Sequence, residues 1–124
     1  MDKKKLLVWM LRIIPAVILL QTLRFKFTAH TDSVLIFSNL GVEPWGRIGL
    51  GVIELVTALA ILYPKTTRKA SLVSMVIMMG AIFSHLFVLG INFNGDGGLL
   101  FSMAIIVFTT SGLNWFFSRT KKNP

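Results

Sequence analysis

Cysteine is absent from the chain. That removes disulfides, thiol redox chemistry, iron–sulfur ligation and zinc–thiolate sites together, and it leaves the compartment open. Charge is scarce as well. Charged residues make up 15% of the chain, against about 25% in an ordinary soluble domain. Acidic residues are the rarer sign, with five Asp and Glu against thirteen Lys and Arg. There are only two histidines, His30 and His85. His30 falls in a loop, so a bis-histidine haem inside one bundle is not expected. The sequence also lacks an Asn-x-Ser/Thr acceptor, an internal repeat, a linker and a low-complexity tract.

What is abundant is apolar. Hydrophobic residues account for 54% of the chain and the mean hydropathy is +0.73. These values exclude disorder, and 124 residues suit one domain, 1–124. Four apolar segments stand out: Leu6–Leu23, Gly46–Tyr63, Ser71–Ile91 and Leu99–Phe117. Each is close to the roughly 20 residues that cross a hydrocarbon core. The expectation is an all-α integral membrane four-helix bundle. Pro15 lies inside the first segment, where neighbouring helices can satisfy the freed carbonyl. The N-terminus resembles a signal peptide, but Arg12 interrupts its apolar run and no A-x-A site precedes His30. An uncleaved first helix is therefore expected.

The net charge of +8 does not point to nucleic acid. Lys3, Lys4, Lys5, Lys65, Arg68, Lys69, Arg119, Lys121 and Lys122 all flank apolar segments. Their partition against Arg24, Lys26 and Arg47 on the other side places both termini in the cytoplasm by the positive-inside rule. The same flanks suit anionic lipid headgroups. Trp45, Tyr63 and Trp115 fall at expected interfaces. Between the first two spans, Thr31 and Asp32 precede an apolar stretch, Val34–Leu40, that ends at Gly41. That pattern brackets a short extra helix, placed on the membrane surface or across the mouth of the bundle. Pro44 suits the first turn of the second span, and Asn92–Gly98 reads as a turn cluster.

Glu54 lies in Ile48–Tyr63, where its neighbours are apolar, Gly or Thr. An ionisable residue at the centre of a spanning helix costs about 2.5–3.5 kcal/mol on insertion scales and is a candidate functional site. Arg47, Gly51 and Glu54 share a helix face, with Glu54 about 10 Å deeper than Arg47 at 1.5 Å per residue. His85, preceded by Ser84, reaches a similar depth from the third span. A Glu54–His85 pair would relay protons or bind a polar head. Gln21, Arg24 and Lys26 mark the outer end of the first span, and Glu43 and Asp96 add carboxylates at the same mouth. Each also has a plainer reading. Glu54 can serve helix packing, His85 can be a satisfied core residue, Arg24 and Arg12 can snorkel, and Asp96 can belong to a turn. Small residues at Gly46, Gly49, Gly51, Gly80 and Ser84 allow close helix approach or leave room for a ligand.

Four stretches carry a family resemblance: QTLRFKF at Gln21–Phe27, GVEPWGRIGLGVIEL at Gly41–Leu55, MMGAIFSHLFVLGI at Met78–Ile91 and GDGGLLF at Gly95–Phe101. They resemble the DoxX family of small bacterial membrane proteins. The resemblance implies a four-helix bundle in the bacterial cytoplasmic membrane. It marks Gln21, Lys26, Glu43, Arg47, Glu54, His85 and Asp96 as polar positions without an assigned role. Some relatives look like subunits of quinone-reducing oxidoreductases that act on sulfur compounds. The absence of cysteine separates the chain from four-helix thiol-oxidising enzymes that also use quinones. Three functions follow as alternatives. The first is a quinone-linked subunit drawing electrons from a protein partner. The second is an accessory membrane protein without catalysis, alone or as a homodimer. The third is a proton-coupled binder or carrier, which four helices without inverted repeats support poorly unless the chain dimerises.

Overall fold

The computed structural model describes residues 3–28 and 31–119. His30, Lys121 and Lys122, which entered the haem and topology expectations, lie outside the described residues. Every regular element among the described residues is helical. They are α1 (Lys3–Phe27), α2 (Thr31–Asn39), α3 (Trp45–Leu62), α4 (Thr67–Ser84) and α5 (Leu99–Arg119). A π-helical turn, His85–Leu89, extends α4, and a 3-10 turn, Phe93–Gly95, precedes α5. α1, α3, α5 and α4 with its π-turn are each long and apolar enough to cross a membrane. The protein is a multi-pass membrane protein built as a four-helix bundle with a short fifth helix.

The outside of the bundle supports this reading. Val56, Val76 and Phe87 are among the most exposed side chains, at 62, 63 and 79%, and the long helices turn Leu, Ile, Val and Phe outward along their lengths. A water-facing bundle would carry charge there. Inside, Ala16, Leu19, Ala58, Ile61, Ala70, Met78, Ala104 and Val107 form the core. Its several alanines allow close helix approach. Buried hydroxyls sit among them. Ser74 Oγ lies 2.8 Å from Ser111 Oγ, joining α4 to α5, and Asn114 Nδ2 donates to the Leu11 carbonyl, joining α5 to α1.

Helix ends follow from local chemistry. α1 is longer than Leu6–Leu23 because Lys3–Lys5 and Arg24–Lys26 continue the helix, as good helix formers can, and Pro15 is held inside it. α2 ends in a complete Schellman motif. Gly41, at φ +77°, donates to the Ser38 carbonyl at 3.0 Å while Val42 donates to Phe37 at 2.9 Å. Pro44 stands just before α3 rather than within its first turn. Between α3 and α4, Thr66 and Thr67 return their hydroxyls to the Ala60 and Ile61 carbonyls at 2.6 and 2.7 Å. Those bonds satisfy carbonyls that the end of α3 would otherwise leave open. α4 starts at Thr67, earlier than Ser71, so Arg68 and Lys69 belong to a helix and not to a turn. Arg68 lies over the Trp115 ring at 5.6 Å.

Candidate functional site

A cavity of about 540 Å³ occupies the end of the bundle that carries α2. All five helices contribute to its wall, which is mostly aliphatic and aromatic. Six of the residues singled out from the sequence line it: Gln21, Lys26, Glu54, Ser84, His85 and Asp96. Volume, apolar lining and a few convergent polar groups match what small-molecule sites require.

The central polar contact is an ion pair. Lys26 Nζ approaches Glu54 Oε1 at 2.9 Å, with the Lys26 side chain 14% exposed and that of Glu54 3%. Lys26 is the one donor that meets buried Oε1 among the described residues. Glu54 therefore takes its partner from α1. The expected Glu54–His85 pair does not form as a hydrogen bond or an ion pair, although both side chains line the same cavity. The correction has a simple cause. The stem of Lys26 brings its ammonium to Glu54, while His85 is engaged by its own π-turn.

His85 is buried, with Nδ1 3.0 Å from the Gly90 carbonyl and its ring edge-on to Phe101 at 6.0 Å. A carbonyl only accepts, so Nδ1 donates to it, and Nε2 is the ring nitrogen left for another partner. Gly90 permits this closure at φ +85°, and its N–H returns to the His85 carbonyl at 2.7 Å. Ser84 is occupied within α4, donating to the Gly80 carbonyl at 2.8 Å.

Arg47 and Glu43 do not line the cavity. Arg47 Nε meets Glu43 Oε1 and Oε2 at 2.9 and 3.1 Å, and Nη1 donates to the Lys26 carbonyl. Arg47 is thus a buried brace. It fixes the backbone of the residue whose side chain pairs with Glu54, and it ties α3 to α1. Arg47, Gly51 and Glu54 do share the buried face of α3. Phe27 packs over Gly51, where an added Cβ would come within 2.8 Å of the far end of its ring. Asp96 reads as the plainer alternative suggested. Its two carboxylate oxygens accept from the Gly98 and Leu100 N–H groups at 2.8 and 3.1 Å, capping α5.

The model of the DoxX-like family matches residues 10–111. The chain belongs to the DoxX-like family. Comparisons with curated proteins and with solved structures gave no match. The matched span of this DoxX-like protein contains every candidate site residue, from Gln21 to Asp96.

The sequence offers the mouth of the bundle as one placement for α2 but singles out none of its side chains as lining. Ser33 and Phe37, both buried, close the cavity from above together with Ile36. Their i, i+3, i+4 spacing on α2 was the available signal. Phe93, in the 3-10 turn, is also buried in the wall, and nothing local to its sequence marks it. Chemically, the cavity offers one cationic donor at Lys26. Its other polar lining comes from the Glu54 and Asp96 carboxylates, His85, Gln21 and three hydroxyls, Thr22, Ser33 and Ser84.

Proposed function

We propose that this DoxX-like protein binds a quinone head in the cavity and serves as the quinone-linked subunit of a membrane oxidoreductase. One observation carries the reading. A mostly apolar cavity is bordered by an ion pair in which Lys26 is the one donor that meets Glu54 Oε1 among the described residues. A quinone ring is neutral and flat, with carbonyl oxygens that accept when oxidised and hydroxyls that donate when reduced. Lys26 donates to the first form, while Glu54 and His85 accept from the second. The chemistry a quinone supplies is two-electron, two-proton redox. This chain's part is to hold the head and exchange protons with it, and a partner subunit would supply the electrons. The orientation that fits the basic flanks puts the start of α1 and the end of α5 in the cytoplasm of a bacterial cell, with the cavity in the outer half of the cytoplasmic membrane.

The test is quinone titration of the purified protein in lipid nanodiscs, with mass spectrometry of what co-purifies. Binding is expected in the unaltered chain. Losing a hydrogen bond to a charged group costs about 1.5–3 kcal/mol, so Glu54→Gln and Lys26→Met should each weaken it roughly ten- to a hundredfold. A protein that binds no quinone of any head type refutes the reading.

A second reading rests on the Arg47 brace and the Lys26–Glu54 pair, which together join α1 to α3. On that reading the polar residues serve assembly in an accessory protein or a homodimer. The variants would then lower stability or recovery of a partner while no ligand binding is present to change.

A further inference from the structure

The cavity reaches the lipid-facing surface. Val76 and Gly80, one turn apart on α4, both line it, and both are exposed, Val76 at 63%. On the facing helix, Leu50 and Glu54 line the same stretch of wall. The opening therefore lies between α3 and α4. Gly80 leaves it unobstructed, since a Cβ added there would meet nothing within 4 Å. Gly80 stands ten residues before Gly90, about 15 Å along a helix at 1.5 Å per residue. That is near the middle of a hydrocarbon core about 30 Å thick.

A second, shallower groove of about 460 Å³ runs along the same α3–α4 seam. Val52, Ile53 and Val56 form one side, and Ala70 and Val73 the other. Val73 is a single turn from Val76, so the groove begins about 4.5 Å along α4 from the opening. Apart from Thr57, Thr66 and Lys69, the wall is aliphatic.

We propose that the ligand stays tethered to the bilayer, its head in the cavity and its long hydrocarbon tail leaving through the window at Gly80 to lie in the groove along Val52–Val56 and Val73. The inference rests on the quinone reading for the head and adds the tail, the entry route and the residues that form it. An opening at this depth faces hydrocarbon and not water. A bilayer-dissolved amphiphile is already there. Continuity between cavity and groove is what commits the groove to the tail of the same molecule. A phospholipid acyl chain offers the same hydrocarbon, and the test separates the two sources.

The test uses the full chain in nanodiscs and one benzoquinone head bearing either a methyl group or a long isoprenoid tail. Gly80→Phe places a ring in the window. Gly49→Phe is the control, because Gly49 is exposed on α3, has nothing within 4 Å of an added Cβ, and lines neither cavity nor groove. Expected is a loss of affinity in Gly80→Phe that is at least about tenfold greater for the tailed quinone than for the methyl form, with the Gly49→Phe control within about twofold of the unaltered protein for both. In the unaltered protein, a diazirine on the tail should label 52–56 and 73–76. Equal loss for both quinones, or loss for neither, overturns the proposal and leaves the head site standing. Binding of neither quinone to the unaltered chain overturns both. Labelling of the groove by a photoreactive phospholipid that the tailed quinone does not displace assigns the groove to lipid and overturns the tail route.

Discussion

Removing Lys26 should damage the protein more than neutralising Glu54, although the two form one contact. Glu54 is 3% exposed and its short side chain cannot reach water, so Lys26→Met strands a buried carboxylate. The other nearby cation, Arg47, is already committed to Glu43 and the Lys26 carbonyl. Breaking a buried pair from one side costs about 3–5 kcal/mol. Glu54→Gln strands the ammonium instead, but Lys26 stands one residue from the end of α1, and its long stem can lift the charge toward the interface. The amide also keeps an acceptor. The expected cost is about 1–2 kcal/mol. Replacing both, as Lys26→Met with Glu54→Leu, removes the charges and their desolvation together, and should lie within about 1 kcal/mol of the unaltered protein. The singles and the double therefore make a strongly non-additive cycle, with a coupling of about 2–4 kcal/mol. Reversible unfolding in mixed micelles with increasing dodecyl sulfate, followed by helical circular dichroism, measures all four species. Equal single costs that add in the double would show that the 2.9 Å contact carries no coupling and would refute the argument.

Two further outcomes follow from the polar contacts elsewhere in the bundle. Asp96→Ala should cost about 1 kcal/mol by uncapping α5, and Asp96→Asn should recover about half of it, because its one amide oxygen can accept from one of the two backbone N–H groups; loss of quinone binding in Asp96→Asn with no further loss of stability would instead place Asp96 in the ligand site. Ser74→Ala should cost about 0.6 kcal/mol, a typical value for hydrogen bonds between membrane helices, and adding Ser111→Ala should cost less than a second such increment, since the stranded hydroxyl is removed; full additivity in the same unfolding assay would show that the 2.8 Å contact is not an energetic pair.

The spans were legible because their signal is composition over about 20 residues, which tertiary packing does not alter. α2 was legible from Thr31 and Gly41, since a left-handed residue closes a helix by backbone geometry alone. The polar lining of the cavity was legible in part, because few polar residues enter an apolar wall: six of those singled out line it, while Thr22 and Ser33, also in the wall, were not marked. Its pairings were not. Helical spacing fixes which face Glu54 occupies but not how far the stem of Lys26 reaches from another helix. Arg47 shares that face with Glu54, yet it turns toward Glu43 and a backbone carbonyl because those partners lie at its own level. The partner of His85 depends on a π-turn, whose wider hydrogen-bonding step leaves no periodic trace over five residues.

The buried pair bears on function through its surroundings more than through its strength. A buried salt bridge is weak evidence for stability, since an apolar pair of similar volume often serves as well or better. If Lys26 and Glu54 acted only as a clamp between α1 and α3, a close-packed contact with every polar atom satisfied would be the natural arrangement. Instead the pair borders about 540 Å³ of open, mostly apolar space, and Lys26 is the one donor that meets Glu54 Oε1 among the described residues. Arg47, by contrast, has the form expected of a clamp, with its carboxylate and carbonyl partners in place and no share of the cavity wall. The division of labour is therefore between two buried cations. Arg47 fixes where Lys26 sits, and Lys26 with Glu54 places a paired charge on the cavity wall.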